Sequence, residues 1–270
     1  MSTPSLDTLL AQLYEMAPQL TATRLSLLNQ MAVALQAEFE GSPNKDSDFA
    51  TPAFYEYFAS RLLIHHAVVE EKLNKKSFEY IFRDALRHDE NTAHLTLSSV
   101  HPGADLILNG ERFSLKTEAS RSLRAAKITI SKFMEARWIR DKDELGLARD
   151  SSRKLSDHLE SYDRIVMLRA AYLAPGQVKY DLVEIPHDLL MLATRIEAKD
   201  ITLSKGRSGG GSAVVRQDEE AVLTLKFDGS VEKVTIANLL VERCTIHATW
   251  QIPLTITRFE RSQEGYGQEL

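Results

Sequence analysis

The sequence predicts an α/β fold in which a mixed central β-sheet is flanked by helices and preceded by a mostly helical N-terminal part. Three observations carry that expectation. Over residues 1–90 the apolar side chains recur at intervals of three and four, the helical period. From residue 91 short runs alternate at a period of two and are punctuated by Asn-Gly and Asp-Gly turns. Helical stretches lie between those runs, and strands interleaved with helices build an α/β domain.

The helices come first. Leu6, Leu9, Leu10 and Leu13, followed by Leu25, Leu28, Met31 and Leu35, mark two of them. Residues 41–48 are polar, contain Pro43 and read as a loop. Residues 55–73 are helical again. A further helix beginning near Ser77 places Phe78, Ile81, Phe82, Ala85 and Leu86 on one face, with Glu79 and Arg83 on the polar side.

Strand signals follow at Leu95-Thr96-Leu97 and Leu106-Ile107-Leu108, the second run into Asn109-Gly110. Asn-Gly favours a type I′ turn, which needs positive φ at both central positions, so residues 112–117 should return antiparallel to residues 105–108. Ile130, Phe133, Met134 and Trp138 predict a helix over 130–138. Residues 165–172 and 180–185 read as buried strands and 186–196 as a short helix. The runs 221–227, 231–236 and 243–252 alternate like strands, with Asp228-Gly229 as a second hairpin turn. Cys244, the only cysteine, lies in the last of these and is expected to be a buried apolar thiol. Residues 204–212 hold no hydrophobic side chain and read as a flexible surface loop, in which Lys205 and Arg207 sit among glycines that let backbone N–H groups approach phosphates.

At 270 residues, 43% hydrophobic and 26% charged, the chain has the composition of a globular protein with a sizeable core. It is read as one domain over 1–270, with 1–90 mostly helical and 91–270 forming the α/β core. The N-terminus lacks a signal-peptide pattern and no apolar run approaches a membrane span, so a cytoplasmic protein without a membrane partner is expected.

The net charge of −5 argues against nucleic acid until its distribution is seen. Between Arg112 and Arg140 eight basic residues, among them Lys116, Arg121, Arg124, Lys127 and Lys132, face two acidic ones, Glu118 and Glu135. That segment therefore carries +6 and leaves −11 for the rest. A basic stripe on an acidic body suits DNA bound on one face.

The chemistry concentrates in the hairpin. Strand side chains at i and i+2 share a face, so Ser114, Lys116 and Glu118 point together while Phe113 and Leu115 enter the core, and the turn brings Asp105 beside them. Phosphodiester hydrolysis needs a carboxylate to hold a divalent cation and a cationic group to orient or activate water and offset developing charge. Asp105 and Lys116 supply those two.

Asp105 followed by Ser114-Leu-Lys116 resembles the PD-(D/E)xK nuclease superfamily, and its Ser-x-Lys form resembles the CCGG-recognising and EcoRII-like type II restriction endonucleases. The resemblance covers roughly residues 77–140. Two departures are visible: Pro102 is separated from Asp105, and Ser114 stands where a second acid is usual. The resemblance implies a restriction-endonuclease-like sheet, Mg2+ as cofactor, double-stranded DNA as substrate and a homodimer. It implies that the second metal-binding acid comes from the helix after the hairpin, where Glu135 is the natural candidate and Glu118 its competitor. It also implies an acid on the preceding helix, for which Glu79 matches best. Arg121 and Arg124 then stand where this group reads guanine edges, with phosphate contact as the other role. A nicking or repair nuclease, or a non-catalytic DNA-binding protein, remain the alternatives.

Overall fold

The computed structural model describes residues 4–96, 103–120, 123–140, 142–173, 176–205 and 209–254. Two helices, α1 (Leu6–Met16) and α2 (Ala22–Leu35), open the chain, each started by a hydroxyl cap, Ser5 or Thr21, that accepts from the third residue beyond it. The segment expected to be a loop then begins as a strand, β1 (Glu40–Pro43), which pairs with the last strand of the chain. Its polarity misled because β1 lies at a sheet edge, where a strand needs little apolar content. α3 (Pro52–His66) and α4 (Lys75–His88) follow.

The central hairpin forms as expected. β2 (Ala93–Leu95) pairs with β3 (Leu106–Leu108), and β3 with β4 (Glu111–Glu118) through Leu106 opposite Phe113 and Leu108 opposite Glu111. Asn109 and Gly110 adopt φ of 50° and 96°, the left-handed pair that a type I′ turn requires.

The expected helix over 130–138 is instead a strand, β5 (Lys127–Glu135), followed by a short 3-10 turn at Arg137–Ile139. The physical reason lies in its register. Ile236 faces Ile130 but Val234 faces Met134, so four residues of β5 are spanned by two of its partner. That bulge spaces the buried side chains Ile130 and Phe133 three apart and imitates a helix. A further helix not among the expected elements, α5 (Glu144–Leu159), follows and is capped by Asp143.

The remaining strands are β6 (Arg164–Tyr172), β7 (Gln177–Ile185), β8 (Ile201–Leu203), β9 (Gly210–Gln217), β10 (Glu220–Asp228), β11 (Lys233–Leu240) and β12 (Thr245–Pro253), with α6 (His187–Met191) after β7. The glycine run read as wholly loop enters β9. A side chain at Gly210 would place its Cβ 2.2 Å from the carbonyl oxygen of Phe227, so the residue admits a neighbouring strand rather than loosening the chain. The expected two-residue turn at Asp228-Gly229 is longer: Asp228 ends β10 and accepts from the N–H groups of Ser230 and Val231. Cys244 is half-buried, just before β12, and its thiol is pushed up to about 12 by burial.

Among the described residues the strands form two sheets. The first, ordered β1-β12-β7-β6-β4-β3-β2, is mixed: β4 and β6 run parallel and the other pairs antiparallel. One of its faces, with Phe113, Leu115, Val166 and Leu168, packs on α3 and α4. The other, with Ile165 and Met167, packs on α5, α6 and the second, antiparallel sheet β5-β11-β10-β9-β8. The expected central mixed sheet flanked by helices is thus present, with a second sheet closing one side. Among the described residues no helix is long and apolar enough to cross a membrane.

Candidate active site

Phe113 and Leu115 are fully buried against α3 and α4, so the pleat sends Ser114, Lys116 and Glu118 to the opposite face of β4. Asp105 enters β3 at the same end. Its N–H donates to the Phe113 carbonyl at 2.8 Å, and its Oδ2 accepts from the Leu115 N–H at 2.7 Å, which fixes the carboxylate against the strand carrying Lys116.

Glu79 reaches this point from the first turns of α4. The Lys75 ammonium lies 2.8 Å from Asp105 Oδ1 and 3.4 Å from Glu79 Oε1, so one cation bridges two carboxylates. Lys76 takes the other Glu79 oxygen at 3.1 Å. Lys116 is held well below the usual lysine range, at about 8, first by burial and then by the Lys75 charge, against the pull of Asp105 and Glu79.

α5, which the sequence reading did not include, closes the site. His158 is lowered to about 4 by burial and by the Lys116 charge, so its imidazole is neutral at neutral pH. The Tyr162 hydroxyl is raised by burial and by Asp105. Ser114 is fully buried; its hydroxyl, the His158 Nε2 and the Tyr162 hydroxyl have no hydrogen-bond partner among the described residues. The signal that could have found α5 was Asp143 followed by Leu147, Leu155 and Leu159, a cap with helical spacing.

The two other acids stand elsewhere. Glu118 is buried and both of its oxygens are engaged, by Arg169 Nε at 2.7 Å and by the Thr129 N–H at 2.9 Å. Glu135 lies at the end of β5 rather than on a helix, in the second sheet opposite Lys233; it is exposed and held low by its 2.9 Å contact with Lys132. Among the described residues no three His, Cys, Asp or Glu side chains are grouped to hold an ion. The donor set that converges is the pair Asp105 and Glu79, and it fits Mg2+, which commonly takes one or two protein carboxylates and fills its other positions with water and substrate phosphate oxygens.

Arg124 lines a cleft of about 490 Å3 with Thr117, Ala119, Ser120, Thr129 and Ser131, beside the end of β4. Lys127 begins β5, Lys132 is exposed further along it, and Lys205 follows β8 at the opposite edge of the second sheet. Arg121 and Arg207 lie outside the described residues.

A profile of the SmaI family, described as type II site-specific deoxyribonuclease, matches residues 13–252. The chain is 33% identical over 212 residues to the type II restriction enzyme SmaI of Serratia marcescens, covering 77% of this chain and 83% of that protein. Among solved structures, a restriction endonuclease in complex with substrate DNA aligns with 70% of this chain and 78% of its own, at 13% identity and a TM-score of 0.31.

Proposed function

The chain belongs to the SmaI family of type II site-specific deoxyribonucleases, and on that premise we propose that it cuts both strands of a specific site in double-stranded DNA, in the cytoplasm, with Mg2+ held by Asp105 and Glu79 and with Lys116 as the group that acts on the attacking water. The observation that carries this reading is the Lys75 bridge: two acids from α4 and the hairpin come within ion-pair distance of the same ammonium. Asp105 and Glu79 would hold Mg2+, which would supply Lewis-acid chemistry at the scissile phosphate.

The chain's own residues do the rest. The Leu115 N–H orients the Asp105 carboxylate, so the ligand and Lys116 keep a fixed separation along one strand. Burial lowers Lys116 toward the neutral range, which favours a free amine able to take a proton from water and, once protonated, to offset charge on the phosphate. Ser114, which has no carboxylate to offer, is fully buried on the same face of β4 as Lys116. Glu79 supplies the acid that the Ser-x-Lys pattern lacks. Glu118 and Glu135 are left with structural and surface ion pairs.

Double-strand cleavage of a symmetric target calls for two copies of this site, and we propose a homodimer. The matched region runs through the helical N-terminal part and both sheets, which supports one nuclease unit over the whole chain. Arg124, Lys127, Lys132 and Lys205, with Arg121 and Arg207, are proposed to meet the DNA.

The test is digestion of supercoiled plasmid with and without Mg2+, followed by sequencing of the fragment ends. Discrete ends that require the cation and disappear in Asp105→Asn and Glu79→Gln support the reading. Cation-independent cutting, or an active Glu79→Gln, overturns the assignment of the ligands.

A further inference from the structure

Glu118 and Arg169 form a buried ion pair outside the Asp105 cluster, and Arg169 is only 3% exposed. Arg169 does more than neutralise Glu118. Its guanidinium donates to three carbonyls of the segment leading into β5: Arg124 at 2.8 Å, Lys127 at 2.9 Å and Ala125 at 3.3 Å. Glu118 adds the Thr129 N–H. The end of the catalytic strand is thereby clamped to the backbone on which Arg124 rides.

The Arg124 side chain has its own brace. Its Nη2 donates to Asn238 Oδ1 at 2.8 Å, and Asn238 Nδ2 donates to Thr224 Oγ1 at 3.1 Å. Asn238 lies inside β11 with φ of 58°, where the register slips between Ile236 and Leu239. A left-handed asparagine in a strand bulge costs stability, and bulges of this kind re-aim a side chain. Here it is aimed at Arg124, at the cleft beside β4.

We infer that Asn238 is a positioning residue for sequence specificity: by bracing the exposed Arg124 guanidinium at the cleft it presents the remaining N–H donors pre-oriented to a base edge of the bound DNA. This rests on the nuclease reading above. An arginine donates through five N–H groups in a planar fork, so a brace that uses one leaves donors for a planar acceptor edge. Holding the side chain in advance removes the ordering cost that otherwise falls on binding, and it removes it for the matching base only if the fork meets a base rather than a flexible phosphate.

Asn238→Gly tests this, because glycine adopts φ near 58° without strain while the contact with Arg124 is lost together with the Asn238–Thr224 hydrogen bond that holds it. Asn238→Asp keeps an acceptor for Arg124 and serves as the rescue. Full-length protein is incubated with plasmid and Mg2+, the ends are sequenced, and the ratio of off-site to on-site cleavage is compared, with melting temperature measured in parallel. The expected result is a ratio about tenfold higher in Asn238→Gly, equal to wild type in Asn238→Asp, at unchanged melting temperature. A ratio in Asn238→Gly equal to that of a cutting wild type overturns the inference alone, as does a slowing that is equal at all sequences. A wild type that leaves plasmid intact overturns the nuclease reading and this inference with it.

Discussion

The Leu115 N–H donates to Asp105 Oδ2 at 2.7 Å, so the strand that carries Lys116 also sets the direction of the carboxylate. The same contact defines the mildest useful variant. Asp105→Asn preserves the acceptor while removing the charge, and should leave the fold and DNA binding intact. We predict that single-turnover cleavage in Mg2+ falls by about three orders of magnitude, the scale of losing several kcal/mol of metal assistance. Gel-shift affinity in Ca2+ and the melting temperature report on binding and fold.

The three remaining acids separate by environment. Glu118→Gln breaks a buried pair with Arg169 and should cost about 3–5 kcal/mol of stability, read by urea denaturation. Glu135→Ala removes an exposed ion pair with Lys132 and should change stability by less than about 1 kcal/mol and cleavage by no more than a few-fold. Glu79→Gln should keep the melting temperature near wild type while abolishing cleavage.

Lys116 gives the pH dependence. Its proton leaves at about 8 rather than in the usual lysine range, because burial disfavours the ammonium and Lys75 repels it. The active form is the free amine, so the single-turnover rate should rise with pH up to about 8 and level off above it. Lys116→Arg, which stays charged, should be slow and should lose the inflection. A rate that falls above pH 8 would assign Lys116 a purely cationic role.

Two histidines set the acid limit of stability. His66, buried against Tyr180, and His158, beside Lys116, are both held at about 4 by burial. A lowered histidine stays neutral in the folded state while the unfolded chain takes up a proton below about 6.5. Unfolding therefore binds protons between about pH 6.5 and 4, and stability contributed by the neutral rings is lost as pH falls through that window. The melting temperature should drop steadily across it.

How much of this was legible in the sequence varied with how local the cause was. The β3–β4 hairpin was readable because Asn109-Gly110 and the alternation about Phe113 and Leu115 act within a few residues. Glu79 was expected on the polar side of α4, and its burial beside Asp105 depends on the hairpin packing against that helix. β5 was not, because its bulge against β11 depends on a strand about a hundred residues later and makes Ile130 and Phe133 look helical. The pairing of Glu118, the competitor to Glu135 for the second acid, was not legible because its partner, Arg169, arrives only when β6 lies parallel to β4. Asn238 carries no local sign of its role; only the folded contact with Arg124 reveals it.

The pairing of Asp105 with Glu79 is the centre of the account, and the most direct measurement of it is Mg2+-dependent cleavage of supercoiled plasmid by Glu79→Gln beside Asp105→Asn, Glu118→Gln and Glu135→Ala under single-turnover conditions. Glu79→Gln is expected to be as inactive as Asp105→Asn while Glu135→Ala cuts at close to the wild-type rate. A Glu79→Gln protein that cuts normally, with the loss appearing in Glu135→Ala instead, would contradict it.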